Sequence, residues 1–284
     1  MGDGNSLINL GDLSKPATIL IEKISDAIGA LYKPRQIKRI AQAEAEAEKI
    51  KVLAEIEVSD IQQRALVRLI QEEGKKQTNI ESIVADATTQ LNDDAKPEEM
   101  DEDWISHFFA KCRNFSNSEM QGLWSRLLAG EANKPGSYSK RTIEIVSTLD
   151  KSDAHLFTQL CTFALSSANG IFPLVLDHDA DIYVKKGINF ATLNHLDSLG
   201  LLKFDNLQNF VLMNLAQHII LLYFGIPVCF KLQAESNNSF DVGHVMLSKT
   251  GEQLARICGA QMDSEFLSYL TDHYKKKSID VKFT

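Results

Sequence analysis

The chain lacks the short motifs that usually mark a catalytic centre. It has no Walker-type phosphate loop, no G-x-S-x-G elbow, no H-E-x-x-H and no paired C-x-x-C. Its seven histidines (His107, His155, His178, His195, His218, His244, His273) are scattered through 284 residues. His107 and Cys112 share one expected helix, but a spacing of five sets them well apart around its axis. No catalytic residue, cofactor site or metal ligand is therefore assigned, and the chain is read as a non-enzyme. Cysteine is scarce too. Cys112, Cys161, Cys229 and Cys258 are widely spaced in apolar surroundings, which argues against a disulfide framework or a zinc site and for buried thiols in a cytoplasmic protein. Long apolar runs are missing: the longest lie near residues 219–230 and are interrupted by Gly225 and Pro227, too short to span a bilayer. The polar N-terminus carries no signal peptide.

What is present is an ordinary globular composition, 44% hydrophobic and 24% charged. The net charge of −8 is concentrated. Residues 92–103 hold seven acids and one Lys, so −6, whereas residues 104–168 hold seven bases and five acids, so +2. The acidic run also contains Pro97 and reads as a solvated linker.

The richest stretch runs from Trp104 to Leu165 and reads as four short helices. The first carries Trp104, Phe108 and Cys112 at spacing four, with Ile105 and Phe109 beside them. Ser116 and Glu119 match a capping box. The helix they open shows Met120, Leu123, Trp124, Leu127 and Leu128 on one side and is expected to stop at Gly130. Asn133, Pro135 and Gly136 make a turn. Ser139 caps a third helix with Ile143, Val146 and Leu149 inward, and Ser152 caps a fourth with Leu156, Phe157, Leu160, Cys161 and Phe163 apolar. Trp104, Phe108, Leu123, Trp124 and Leu127 are the expected core, since large aromatics dominate buried area.

The patterns EMQGLWSRLLAGE, PG, SKRT and LDKSDAHLF, with LGDLSKPATILIEKISDAIG and QIKRIAQAEAEAEKI before them, resemble the bacterial "domain of unknown function 2806" family. That resemblance covers at least Leu10 to Phe157 and implies no established activity. A looser likeness, through the Leu-Trp helix and the Pro-bearing turn, is to the abortive-infection alpha proteins, and it implies phage defence. Gly130 and Glu131 suit the first family better.

Upstream, Ser14 and Pro16 open a helix with an apolar stripe of Ile19, Leu20, Ile24, Ala27, Ile28 and Leu31. The stripe is a face for another helix of this chain or a second copy, or for a membrane interface, although its polar side has less Lys and Arg than interfacial helices usually show. A long helix is expected from about Arg35 to Glu73, ended by Gly74, with a shorter one from Ile80. Its line Ile40, Ala43, Ala47, Ile50, Ala54, Val58, Ile61, Ala65, Leu69 advances 29 positions in eight steps, about 3.6 per step, close to a straight helix. It would span on the order of 60 Å and needs a partner to bury its stripe. Self-association, or antiparallel pairing with residues 77–91, supplies one.

Downstream, Ile171–Leu176 with Pro173 reads as an edge strand. Asp177, His178, Asp179 and Asp181 fit no calcium-loop spacing and read as a solvated loop. A helix with Phe190, Leu193, Leu196 and Leu199 inward ends at Gly200, followed by a strand through Phe204, a hairpin over IILLYFG and VCFKL, and a strand passing into a helix over HVMLSKTGEQLARICG. The order is similar to a winged helix. The would-be recognition helix, residues 189–199, contains no Lys or Arg, which disfavours nucleic acid.

The expected architecture is mostly α, with N-terminal amphipathic and long helices in 1–91, an acidic linker in 92–103, a central four-helix domain in 104–168 and a winged-helix-like α/β module in 169–284. The expected function is a non-enzymatic, self-associating interaction protein, an effector or adaptor in bacterial phage defence. The alternatives are a nucleic-acid-associated regulator and a membrane-perturbing effector. The expected partner is a second copy of the chain or another protein. The expected location is cytoplasmic, with peripheral membrane contact as the variant.

Overall fold

A computed structural model describes residues 13–29 and 60–283. Leu31 and the stripe residues Ile40, Ala43, Ala47, Ile50, Ala54 and Val58 lie outside the described residues. About half of the structure is helical, and an antiparallel sheet occupies the C-terminal region. The chain forms two compact units, Met1–Ile143 and Glu144–Thr284. This border replaces the expected ones at 103 and 168.

In the first unit, α1 (Lys15–Ile28) starts where the Ser14 side chain accepts a hydrogen bond from the Ala17 N–H at 3.4 Å. It buries Ala17, Leu20, Ile21 and Ile24. The next described helix, α2 (Asp60–Thr88), runs through Gly74 without a break, against the expectation that Gly74 ends it. A single helical glycine costs about 1 kcal/mol. The surrounding turns offset this: Lys76 pairs with Glu73 at 2.6 Å, Gln77 bonds Glu81 at 2.9 Å, and the last turns bury Ile80, Ile83, Val84 and Ala87. A continuous helix cannot double back, so antiparallel pairing with residues 77–91 is excluded for the described part of the stripe.

α3 (Glu102–Cys112) is capped by Asp101 and presents Trp104, Ile105, Phe108, Phe109 and Cys112 inward as expected. α4 (Ser118–Asn133) is capped by Asn117, not Ser116. Asn117 accepts from the N–H groups of Glu119 and Met120, while the Ser116 hydroxyl accepts from the Asn79 amide at 3.3 Å. Asn117→Ala should therefore lower stability by about 1 kcal/mol, read as a shift of the urea midpoint. Gly130 sits inside α4 instead of ending it, because a Cβ there would lie 2.7 Å from the Tyr138 ring. α1 packs on α3, and α2 packs on α4.

The acidic stretch is no free linker. Pro97 and Met100 are buried, Lys96 N–H bonds the Ala132 carbonyl at 2.9 Å, and Asn92 N–H bonds the Asn133 side chain at 2.8 Å. Its carboxylates face solvent while its backbone is tied into the unit.

Helix α5 (Lys140–Thr148) holds the border, and Ile143, Val146 and Leu149 are buried as expected. α6 (Lys151–Cys161) is capped at Asp150 and not at Ser152: Asp153 reaches back to the Asp150 N–H at 3.1 Å. Then β1 (Ala164–Ser167) pairs antiparallel with β2 (Gly170–Pro173). A border at 168 would cut this hairpin. After α7 (Asp181–Val184) and α8 (Phe190–Ser198) come β3 (Leu202–Phe204), β4 (Phe210–Leu215), β5 (His218–Tyr223), β6 (Ile226–Lys231), β7 (Asn238–Gly243) and β8 (Val245–Leu247). Helices α9 (Lys249–Ala255) and α10 (Ser264–Lys276) and strand β9 (Asp280–Phe283) complete the unit.

The main sheet has the order β2-β1-β5-β6-β9, with β2 and its Pro173 at one edge, as expected of a Pro-bearing strand. β5 and β6 close through Phe224 and Gly225, both at positive φ, the requirement of a tight hairpin turn. β3 pairs with β8, and β4 pairs with β7. Leu193 and Leu196 of α8 are buried, but Phe190 is about half exposed, contrary to its inward assignment. It lies against Phe204 and His178, with ring centroids 5.7 and 6.1 Å away.

Candidate interaction surface

Helix α2 has two unlike halves. From Asn79 onward it is built into the first unit: the Asn79 amide donates to the Arg113 carbonyl at 2.8 Å, and Gln121 donates to Asn79 Oδ1 at 3.2 Å. Before Asn79 almost every side chain faces solvent. Ile61 is 70% exposed, Leu69 54%, Val67 50% and Ile70 44%. Ala65, Leu66, Leu69 and Ile70 stand at i, i+1, i+4 and i+5, so they share one side, with Ile61 a turn before Ala65. Arg68 and Glu72, three and seven positions after Ala65, pair at 3.6 Å along the border of this line. A solvated helix rarely keeps this many large apolar groups on one side without a use for them.

The structure thus leaves Ile61, Ala65 and Leu69 of the expected oligomerisation stripe open. It treats the other expected face differently. Leu20 and Ile24 are fully enclosed within the first unit, while Ile19, Ala27 and Ile28 are half-buried. A membrane could meet Leu20 and Ile24 only after α1 left its unit. Among the described residues no helix is long and apolar enough to cross a membrane. The expected core residues Trp104, Phe108, Leu123, Trp124 and Leu127 are all buried, and Trp104 Nε1 donates to the Tyr138 carbonyl at 2.8 Å.

Two surfaces of the second unit escaped the sequence reading. One is the outer side of β5, where Ile220 and Leu222 are exposed and Phe224 adjoins them at the hairpin. The signal was visible in His218–Tyr223, a strand apolar at nearly every position, which implies that both faces want cover. The other is a cleft of about 610 Å³ lined by Asp177, His178, His244, Tyr269, Asp272 and His273, among others. Folding brings three distant histidines to it. His244 Nδ1 lies 2.8 Å from the Asp205 carbonyl, which only accepts, so Nδ1 is the donor of this bond. His178 Nδ1 and His273 Nε2 are buried without a hydrogen-bond partner. Burial, and then the charge of Lys277, hold His273 below the ordinary imidazole range, and burial pushes the Tyr269 hydroxyl up. Among the described residues no group of three or more His, Cys, Asp or Glu is arranged to hold a metal ion. The cleft offers proton acceptors and hydrogen-bonding groups, and no Ser or Cys nucleophile lines it.

A family model described as "Protein of unknown function (DUF2806)" matches residues 63–271, which takes in most of the exposed half of α2, the outer side of β5 and the cleft residues as far as Tyr269. Neither the curated proteins nor the solved structures hold a match to the chain.

Proposed function

The chain belongs to the DUF2806 family of proteins of unknown function, and from that premise we propose that it is a non-enzymatic interaction protein that self-associates through the exposed half of α2. One observation carries this reading: Ile61, Leu69 and Ile70 are large, apolar and open to solvent on a helix whose far end is firmly built into its unit. An isologous contact between two such helices would bury the same residues on both copies. The phage-defence role is supported only by the looser resemblance to abortive-infection alpha proteins. Two differently tagged copies expressed together should co-purify as wild type and should separate when both carry Leu69→Glu and Ile70→Glu. These positions are exposed, so the fold tolerates the change. Co-purification that survives the substitutions would remove α2 as the contact, and wild-type copies that never co-purify would remove self-association.

The second reading is a nucleic-acid-associated regulator. Its support is the order α6, α8, β3, β8, α9, with β3 and β8 paired as in a winged helix and residues 205–244 inserted between them. Charge weighs against it. The exposed side of α8 shows Ala191, Asn194, His195 and Ser198, and His195 is bonded to Asp153 at 2.8 Å. Phosphate neutralisation needs cations that this helix does not supply. Binding of a short duplex at low salt, lost on raising salt, would restore that reading.

A further inference from the structure

Two of the four thiols meet inside the second unit. Cys161 is the last residue of α6, and Cys258 lies three positions beyond the end of α9, so the two stand 97 positions apart along the chain. Cys258 acts on the Cys161 thiol, adding to the burial that pushes it up, which makes the two side chains neighbours. The backbones that carry them are also tied. Thr158, one turn before Cys161 on α6, donates its hydroxyl to the Cys258 carbonyl at 3.3 Å. Cys161 is 3% exposed, whereas Cys258 is half-buried. Cys161 also lines a cleft of about 360 Å³ whose wall includes Ala255, Arg256 and Gly259, the neighbours of Cys258 in sequence. Neighbouring cysteines on backbones tethered to each other can be joined, whereas cysteines with distant backbones cannot.

We propose that Cys161 and Cys258 form a reversible dithiol–disulfide site, closed by a hydroperoxide and reopened by a dithiol reductant. Cys258 is the more accessible partner and reacts first, since burial pushes the Cys161 thiol up and keeps it protonated. The Cys258 sulfur attacks one peroxide oxygen. An S–O bond forms, the O–O bond breaks, and the departing hydroxide takes the thiol proton and leaves as water. Cys161 Sγ then attacks the sulfenic sulfur. The S–S bond forms, the S–O bond breaks, and the released hydroxide takes the Cys161 proton. Two thiols and one hydrogen peroxide give one disulfide and two waters. Thiol–disulfide exchange with a dithiol restores the starting state. The bond would fasten the end of α6 to the turn after α9 and restrict the unfolded chain over a long loop, so the oxidised protein should be the more stable form.

The full chain treated with hydrogen peroxide should lose two hydrogens in its intact mass, read before any alkylation. Its digest should contain one Cys161–Cys258 cross-linked peptide, its melting temperature should rise, and dithiothreitol should reverse all three. Cys258→Ser should abolish the cross-link, and a Cys112→Ser, Cys229→Ser double variant should retain it. If Cys161→Ser disturbs the packed end of α6, the exposed-side variant Cys258→Ser still decides the matter. A cross-link that forms only after denaturation would overturn the site, as would a link to Cys112 or Cys229, or Cys258 oxidised to the sulfinic acid beside an unmodified Cys161.

Discussion

Gly243→Ala is expected to prevent the second unit from reaching its native fold. Gly243 stands at φ +87°, a conformation that L side chains rarely adopt. A Cβ there would lie 2.2 Å from the Val175 carbonyl oxygen and 2.6 Å from its carbon. Both atoms belong to backbone, so no rotamer change relieves the clash. The approach is also in use: Val175 and Gly243 form a parallel bridge, and the next residue, His244, donates its N–H to the Val175 carbonyl at 2.9 Å. Moving the strand away would break that bond and shift His244 and the buried Val242 and Val245 around it. Clash, strain and a lost backbone bond together place the effect at roughly 4 kcal/mol or more, in the exceptional range for one substitution. Circular dichroism during heating should show the sheet signal reduced or lost early. Melting within a few degrees of wild type would contradict the close approach.

Trp124→Ala is the corresponding test of the first unit. The Trp124 ring is fully buried, meets Phe108 edge-on at 5.2 Å and lies 5.3 Å from Phe115. Removing so large a buried side chain leaves a cavity that a close-packed interior fills only in part, a loss of about 3–5 kcal/mol. Trp124→Phe should cost far less. Trp124 Nε1 is buried with no hydrogen-bond partner, so the smaller ring gives up area and no bond. Urea midpoints for the two variants should differ widely. Equal and small effects would mean that this ring is not the keystone of its core.

Much of this fold was legible because it rests on local rules. The stripe Trp104, Phe108, Cys112 and the set Met120, Leu123, Trp124, Leu127 and Leu128 are buried as their periodicity implied, and Ser14 caps the helix it precedes. The misreadings share a cause, which is that a distant side chain or strand decides the outcome. Ser116 lost its cap role to Asn117 because Asn79, 37 positions away, claims its hydroxyl. Gly130 looked like a stop signal, but the Tyr138 ring requires the space that a side chain would fill. The acidic stretch looked like a tether because charge counting cannot see Pro97 and Met100 turning inward. β1 was hidden at the end of an apolar helical pattern, since four residues pair as a strand only when β2 and β5 are present. The candidate surfaces divide the same way. Ile61, Ala65 and Leu69 belong to an apolar line readable in one dimension, whereas His178, His244 and His273 meet only after the sheet and α10 assemble.

The solution mass of the full chain, measured by light scattering, tests self-association through α2 most directly when wild type is compared with the Leu69→Glu, Ile70→Glu variant. Wild type should scatter as a defined multiple of 31.7 kDa, and the variant should fall to the mass of one chain while melting like wild type. A wild-type mass of one chain, or an unchanged multiple in the variant, would contradict the proposed contact.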